Sequence, residues 1–477
     1  MSAASIPFLL ETEAKERPDA VAIASLSRPP LSYAAFAAAT RRVAEGLSRQ
    51  GIGPGDRVAL LLPNRAEAAI LLLALARLSA IAVPLDPRFG VEDIAALLSR
   101  ARVSAVATHW GHGEAVLPDR LAAALPDVRA PLRFIVGLDA GGVESLAGPP
   151  VLRWQSLDAM PEREDDDAQA EAAWLALPAT GGRLALHSQQ AVASHARAVA
   201  EQLGLEAGRS AVLPALPVAT PTGMAAMMAA LLSGARLLCQ EEDGAAAADA
   251  LARAHGATHL LGWPAVLAAL APLAARRPYG ALGLVGCSGA VPAELALPMR
   301  QVWGTAETQG LFAIADGGTL LPVAPAELRM GTGLEIRSPS LLTGWLGEEA
   351  GEGLPDGFLA TGLPATLEGG GFTLGEPLAD APFWLDDLCV QPGDAARFLS
   401  RQPGVEAVAI TASPPAGALV GFLRPVAEAA LDTGALTALC RQALAPARVP
   451  VRLAVVEQLP EPPALANAAA ALLAAEA

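Results

Sequence analysis

The feature that most limits what this chain can fold into is an alternation of apolar strands and helices starting near residue 57. Residues 57–62 form a continuous apolar run closed by Pro63 and Asn64. Such runs are strands buried on both faces. A helix is expected to about residue 78, a strand over 81–85, a helix over 91–102 and a strand over 103–108. Strands separated by helices pair in parallel, with helices on both faces of the sheet. Upstream, Ser32 is placed to cap a helix. Phe36, Thr40, Val43 and Leu47 fall on one face of it, Gly51 ends it, and Gly53 to Asp56 make a turn.

At 477 residues the chain is too long for one core, so two or three domains are expected. The net charge of −16 argues against nucleic acid or an anionic membrane surface as main partner. Cys239, Cys287, Cys389 and Cys440 are far apart and read as thiols of a reducing compartment. The apolar stretch 60–85 is interrupted by Asn64, Arg65, Glu67 and Arg77, so no membrane span is expected. The start of the chain lacks a signal-peptide pattern, and the cytoplasm is the expected compartment. Residues 162–167 are a charge run that reads as a solvated linker.

Lys15 is the only lysine. A compositional bias that replaces lysine by arginine accounts for missing surface lysines. It does not account for a missing lysine that a reaction requires.

The stretches LSYAAF, GLSRQGIGPGDRVALLLPN and AIAVPLDPRF resemble the start of the adenylate-forming superfamily. That superfamily contains acyl- and aryl-CoA synthetases, peptide-synthetase adenylation domains and luciferases. The resemblance continues in order through THLLGWPAVLAAL, LVGCSGAVP, VWGTAETQG, GTGLEIRSPSLLTGWLG and LAPARVPVRLAVVEQLP. It implies an α/β fold: a large N-terminal AMP-binding domain over residues 1–375, its sheets flanked by helices, and a small α+β lid over 376–477. In the lid, helices are expected over 391–400 and 433–444, strands over 405–411, 418–423 and 451–458, and an Ala-rich helix over 464–477.

The resemblance implies a reaction that joins a carboxylate to ATP with Mg²⁺ and passes the acyl group to a thiol of CoA or phosphopantetheine. Its phosphate loop matches Thr180, Gly181 and Gly182, with Arg183 near the usual lysine. Backbone amides of such loops cradle anions, although arginine and lysine are not interchangeable. The Ser-Gly-Thr-Thr part of that loop is replaced by Leu-Pro-Ala, or shortened. The adenine site matches Ser288, Gly289 and Ala290, with Trp303, Gly304 and Thr305 in the loop that usually holds tyrosine. Glu307 matches the metal-binding carboxylate and is, with Arg183, a candidate catalytic group. An aromatic can stack on a base, and glycine admits close backbone approach.

Other positions depart from the pattern. Leu363 follows Thr361 and Gly362 where the family has an aspartate for the ribose hydroxyls. Bonds to charged groups are worth roughly 1.5–3 kcal/mol each, and leucine accepts none. The hinge region offers Asp380 and no arginine, and Ala466 stands near the C-terminal lysine position. Loss of one transition-state donor costs on the order of 10²–10³ in rate.

His255 and His259, four apart but separated by Gly256, do not read as a metal pair. His109 and His112 flank Trp110 in an expected loop, and His187 and His195 read as packing or surface residues. Ser288 beside Cys287 lacks the elbow of a nucleophile.

Two functions follow. The first is a pseudoenzyme that has lost efficient adenylation and binds a ligand, a carrier protein or a pathway enzyme. The second is an active ATP-dependent ligase with a remodelled site, in which another arginine such as Arg448 replaces the lysine. In either case residues 213–228 and 260–267 suggest a small apolar acyl or aryl carboxylate.

Overall fold

Helix Tyr33–Arg49 starts where the Ser32 side chain accepts the Ala35 amide at 3.2 Å. Its apolar stripe, with Phe36, Thr40, Val43 and Leu47 all buried, packs on helix Ala66–Arg77. Every residue of that second helix is buried. Its one cation, Arg77, reaches the Thr40 hydroxyl at 2.9 Å and Glu11 at 2.6 Å. A guanidinium this deep is tolerable only when hydrogen-bonded and paired. The structure, a computed structural model, describes residues 5–111, 117–164, 168–179, 182–288, 299–347, 354–375, 383–385, 388–413, 418–427, 429–460 and 464–474.

One sheet has eight strands, in the order Gly344–Trp345, Leu184–Ser188, Ala173–Pro178, Ile81–Leu85, Arg57–Leu61, Ala105–His109, Phe134–Leu138 and Val151–Arg153. Its centre is parallel, and Val58 faces Ala82 on one side and Ala105 on the other. A second sheet of eleven strands has a parallel centre running through Val21–Ala24, Arg236–Leu238, Ala211–Pro214, His259–Gly262, Leu284–Ser288 and Met299–Trp303. Helices Ala66–Arg77 and Pro221–Leu232 share one core with residues of both sheets, including Leu60, Ala82, Val212 and Leu237. They therefore lie between the sheets. Helix Val91–Ala101 covers the far face of the first sheet, and helices Ala245–His255 and Pro264–Arg276 cover that of the second.

A separate small sheet, Val405–Ser413, Ala418–Pro425 and Arg452–Val455, carries helices Pro392–Leu399, Thr433–Ala443 and Ala464–Ala474. The expected boundary after residue 375 abuts 376–382, which lie outside the described residues, as does Asp380.

Most expected elements occur, with ends moved by a few residues. The strand expected over 103–108 runs Ala105–His109. His109 consequently ends a strand rather than sitting in a loop, and its Nε2 meets Asp139 at 2.8 Å. No described helix is long and apolar enough to cross a membrane.

Candidate functional site

The loop after strand Met299–Trp303 is held from three directions. A Cβ on Gly304 would lie 1.0 Å from the Gly310 carbonyl oxygen, and one on Gly310 1.9 Å from that of Pro221. Gly310 also takes φ +86°, a left-handed conformation costly for other residues. Within the loop the Thr305 amide donates to the Thr308 hydroxyl at 2.8 Å, closing the short turn Ala306–Thr308. His187 Nε2 donates to the Ala306 carbonyl at 2.8 Å, and the Leu342 amide to that of Glu307 at 2.8 Å.

Glu307 itself is 4% exposed. The Thr305 hydroxyl is buried without a partner among the described residues. Trp303 is buried at 8% exposure, with Phe312 and Phe372 edge-on at 6.1 and 5.2 Å.

Two buried histidines support this loop. His195 Nδ1 meets the Ser340 hydroxyl at 2.9 Å, and the same residue's carbonyl accepts Gln309 Nε2 at 3.1 Å. Burial lowers His187 to about 4, against the pull of its bond to Ala306. Burial, reinforced by His187, lowers His195 to about 3. Both are neutral near pH 7 and hold a proton too weakly to be matched there as a general base.

On the phosphate-loop side, strands Ala173–Pro178 and Leu184–Ser188 are antiparallel, and the Ala179 amide reaches the Arg183 carbonyl at 2.9 Å. Thr180 and Gly181 lie outside the described residues, and Gly182 has φ +66°. The Arg183 guanidinium sits 3.7 Å from the centre of the Trp345 ring. Ser288 ends its strand opposite Val302, while Gly289, Ala290 and the side chain of Ser288 lie outside the described residues.

Thr361 donates to the Leu334 carbonyl at 2.7 Å, and Leu363 packs against the main core. Ala466 lies inside helix Ala464–Ala474. Lys15 is exposed on helix Ile6–Glu16. The alternative cation Arg448 pairs with Asp93. Among the described residues, no group of three or more His, Cys, Asp or Glu is placed to hold a metal.

A large cavity lies elsewhere, between the large domain and the lid. It encloses about 930 Å³ and is lined by Arg88, Arg120, Trp263, Arg441, Asn64 and Leu444, among others. Arg88 is fixed by Asp86, at 2.9 Å through Nε and 2.6 Å through Nη2, and lies 4.3 Å from the centre of the Trp263 ring. Arg120 donates to the Pro87 and Phe89 carbonyls, both at 2.8 Å. Its pKa is lowered by burial.

Asn64 accepts the Val218 amide at 2.7 Å and donates to the Leu216 carbonyl at 2.8 Å, tying the two sheets together at the cleft wall. Asp119 and Asp243 also line the cleft. Sequence reasoning singled out none of these arginines, although Arg88 and Trp263 sit inside stretches quoted above for their resemblance.

The stretch expected to line an acyl pocket divides between two places. Ala215, Leu216 and Pro217 reach the cleft. Met224 and Met228 line an internal cavity of about 10 Å³, room for about one water.

The chain is similar over 227 residues to Protein Y of Streptomyces griseus, at 30% identity, covering 46% of this chain and 71% of that one. It is 27% identical to feruloyl-CoA synthase of an Amycolatopsis species, covering 90% and 91%. It also matches large synthetases of which it spans 4% and 6% of the length.

Among solved structures, o-succinylbenzoate CoA synthetase of Bacillus subtilis bound to the product analogue OSB-NCoA, a double mutant, superposes with a TM-score of 0.82 at 17% identity. That match covers 98% of both chains. The same enzyme in complex with AMP superposes at 0.67, also at 17% identity, covering 97% and 98%. A model of the family described as AMP-binding enzyme matches residues 10–326, more than half of the chain. The chain therefore belongs to the AMP-binding enzyme family.

Proposed function

We propose that this chain is an acyl-CoA synthetase-like binding protein: it no longer forms acyl-adenylates efficiently and holds a thiol ligand bearing phosphate groups, CoA or phosphopantetheine, in the cleft between its domains. The observation that carries this reading is the cleft of about 930 Å³ walled by Arg88, Arg120, Arg441 and Trp263. The lining carries three guanidinium groups beside Asp119 and Asp243, with Arg88 also paired to Asp86. Arginine suits phosphate oxygens, and tryptophan offers a flat face.

The arrangement of the domains agrees with this. At equal identity, the superposition is better on the Bacillus enzyme with its CoA product analogue than on the same enzyme with AMP. That enzyme's own complexes concern that enzyme; for this chain they support a lid placed to close over a thiol ligand.

Membership of the AMP-binding enzyme family supports a nucleotide site. Several described side chains nevertheless offer ATP with Mg²⁺ less than the resemblance implies, while Thr180, Gly181, Gly289 and Ala290 lie outside the described residues. Trp303 packs with Phe312 and Phe372, the ring planes nearly perpendicular, Leu363 offers no acceptor to a ribose, and Arg183 stacks on Trp345. Ala466 is on a helix and carries no charge.

A second reading, an active ATP-dependent ligase for a small apolar acyl or aryl carboxylate, is favoured by one observation. Glu307 is kept in its turn, beside a buried Thr305 hydroxyl that has no partner among the described residues.

Calorimetric titration with CoA tests the first reading. Binding is expected in the micromolar range or tighter, weakened tenfold or more by Arg88→Ala. Absence of heat with CoA and with phosphopantetheine would refute it.

A further inference from the structure

The lid meets the large domain at the start of helix Val91–Ala101, and the contact is built around one buried carboxylate. Asp93 is 6% exposed. Its Oδ2 accepts the Gly90 amide at 3.3 Å, capping its own helix, and the Ala445 amide of the lid at 2.6 Å. Its Oδ1 pairs with Arg448. The Arg448 guanidinium also lies 3.8 Å from Asp394 and 5.9 Å from the centre of the Phe89 ring.

The backbones come equally close. A Cβ on Gly90 would sit 2.3 Å from the carbonyl of Ala443, so only glycine lets the lid approach this far. Ala445 is fully buried and belongs to the large domain's own core, with Phe89, Ile94 and Leu98. At the rim, Arg401 reaches Glu92 at 2.9 Å.

Burial pushes the Asp93 carboxyl up, opposed by Arg448 and the two amides. A carboxylate in such a place is held only where its bonds are complete. The segment it holds also forms the lid wall of the cleft, through Arg441, Gln442, Leu444 and Pro446.

We propose that Asp93 is a positioning residue that fixes lid residues 441–448 on the large domain and thereby sets the lid wall of the cleft, Arg441 included. The proposal rests on the reading of the cleft as a ligand site. Two variants test it. Asp93→Ala removes the acceptor, while Arg448→Met removes the ion pair and leaves the helix cap in place.

Amide hydrogen exchange reads the contact without any ligand, and CoA titration reads the cleft. In both variants, exchange over residues 443–448 should rise at least tenfold while residues 57–85 stay protected. CoA affinity should fall at least tenfold. Unchanged exchange in both variants would overturn the proposal, as would faster exchange with wild-type affinity. A wild-type chain that takes no CoA refutes the cleft reading instead, and the exchange result then decides the lid contact.

Discussion

Trp303 stands where the family's base-stacking aromatic is expected, and the contacts around it decide between stacking and packing. Edge-on contact with Phe312 and Phe372 at 8% exposure makes it a core side chain. Trp303→Ala is expected to cost about 3–5 kcal/mol of stability, measured by urea unfolding. A cost near zero would return the ring to a ligand.

His187 and His195 make a second prediction. Both are lowered, to about 4 and about 3, by burial. The unfolded chain therefore takes up protons first. Stability is complete above about pH 6.5 and falls as pH drops toward 3, by roughly 3–5 kcal/mol per histidine. Unfolding measured from pH 7.5 to 5 should show this slope, and His195→Gln should flatten it. Neither burial nor titration of these two was legible in the sequence. His187 follows three apolar residues on a mostly buried strand, and its partner is a carbonyl more than a hundred residues away.

At the scale of elements the sequence was most readable where local chemistry and packing agree. Ser32 caps, Phe36 to Leu47 pack, and the helix lies where the pattern puts it. The lid's helices and strands also fall near their expected spans. The loop 302–310 was legible as a site but not as a closed one. Its tightness comes from Gly310 against Pro221, a contact between segments about ninety residues apart. Gly304→Ala would place a methyl 1.0 Å from a backbone oxygen, so the loop must move. The expected result is a loss above 2 kcal/mol in urea unfolding, the range of overpacking. Little change would contradict this close packing of the loop.

At the scale of the molecule, the fold and family were legible because eight ordered stretches resemble one superfamily. The cleft was not. Arg88, Arg120, Trp263 and Arg441 come from four distant segments, and no spacing announces a cavity walled by both parts of the chain.

The central claim is that the scaffold persists without efficient adenylation. Its most direct test is pyrophosphate release, with hydroxylamine as trap, by pure protein given ATP, Mg²⁺ and a panel of acyl and aryl carboxylic acids. The account predicts no release above the protein-free rate for any acid. Release with one acid that disappears in Glu307→Ala would contradict it.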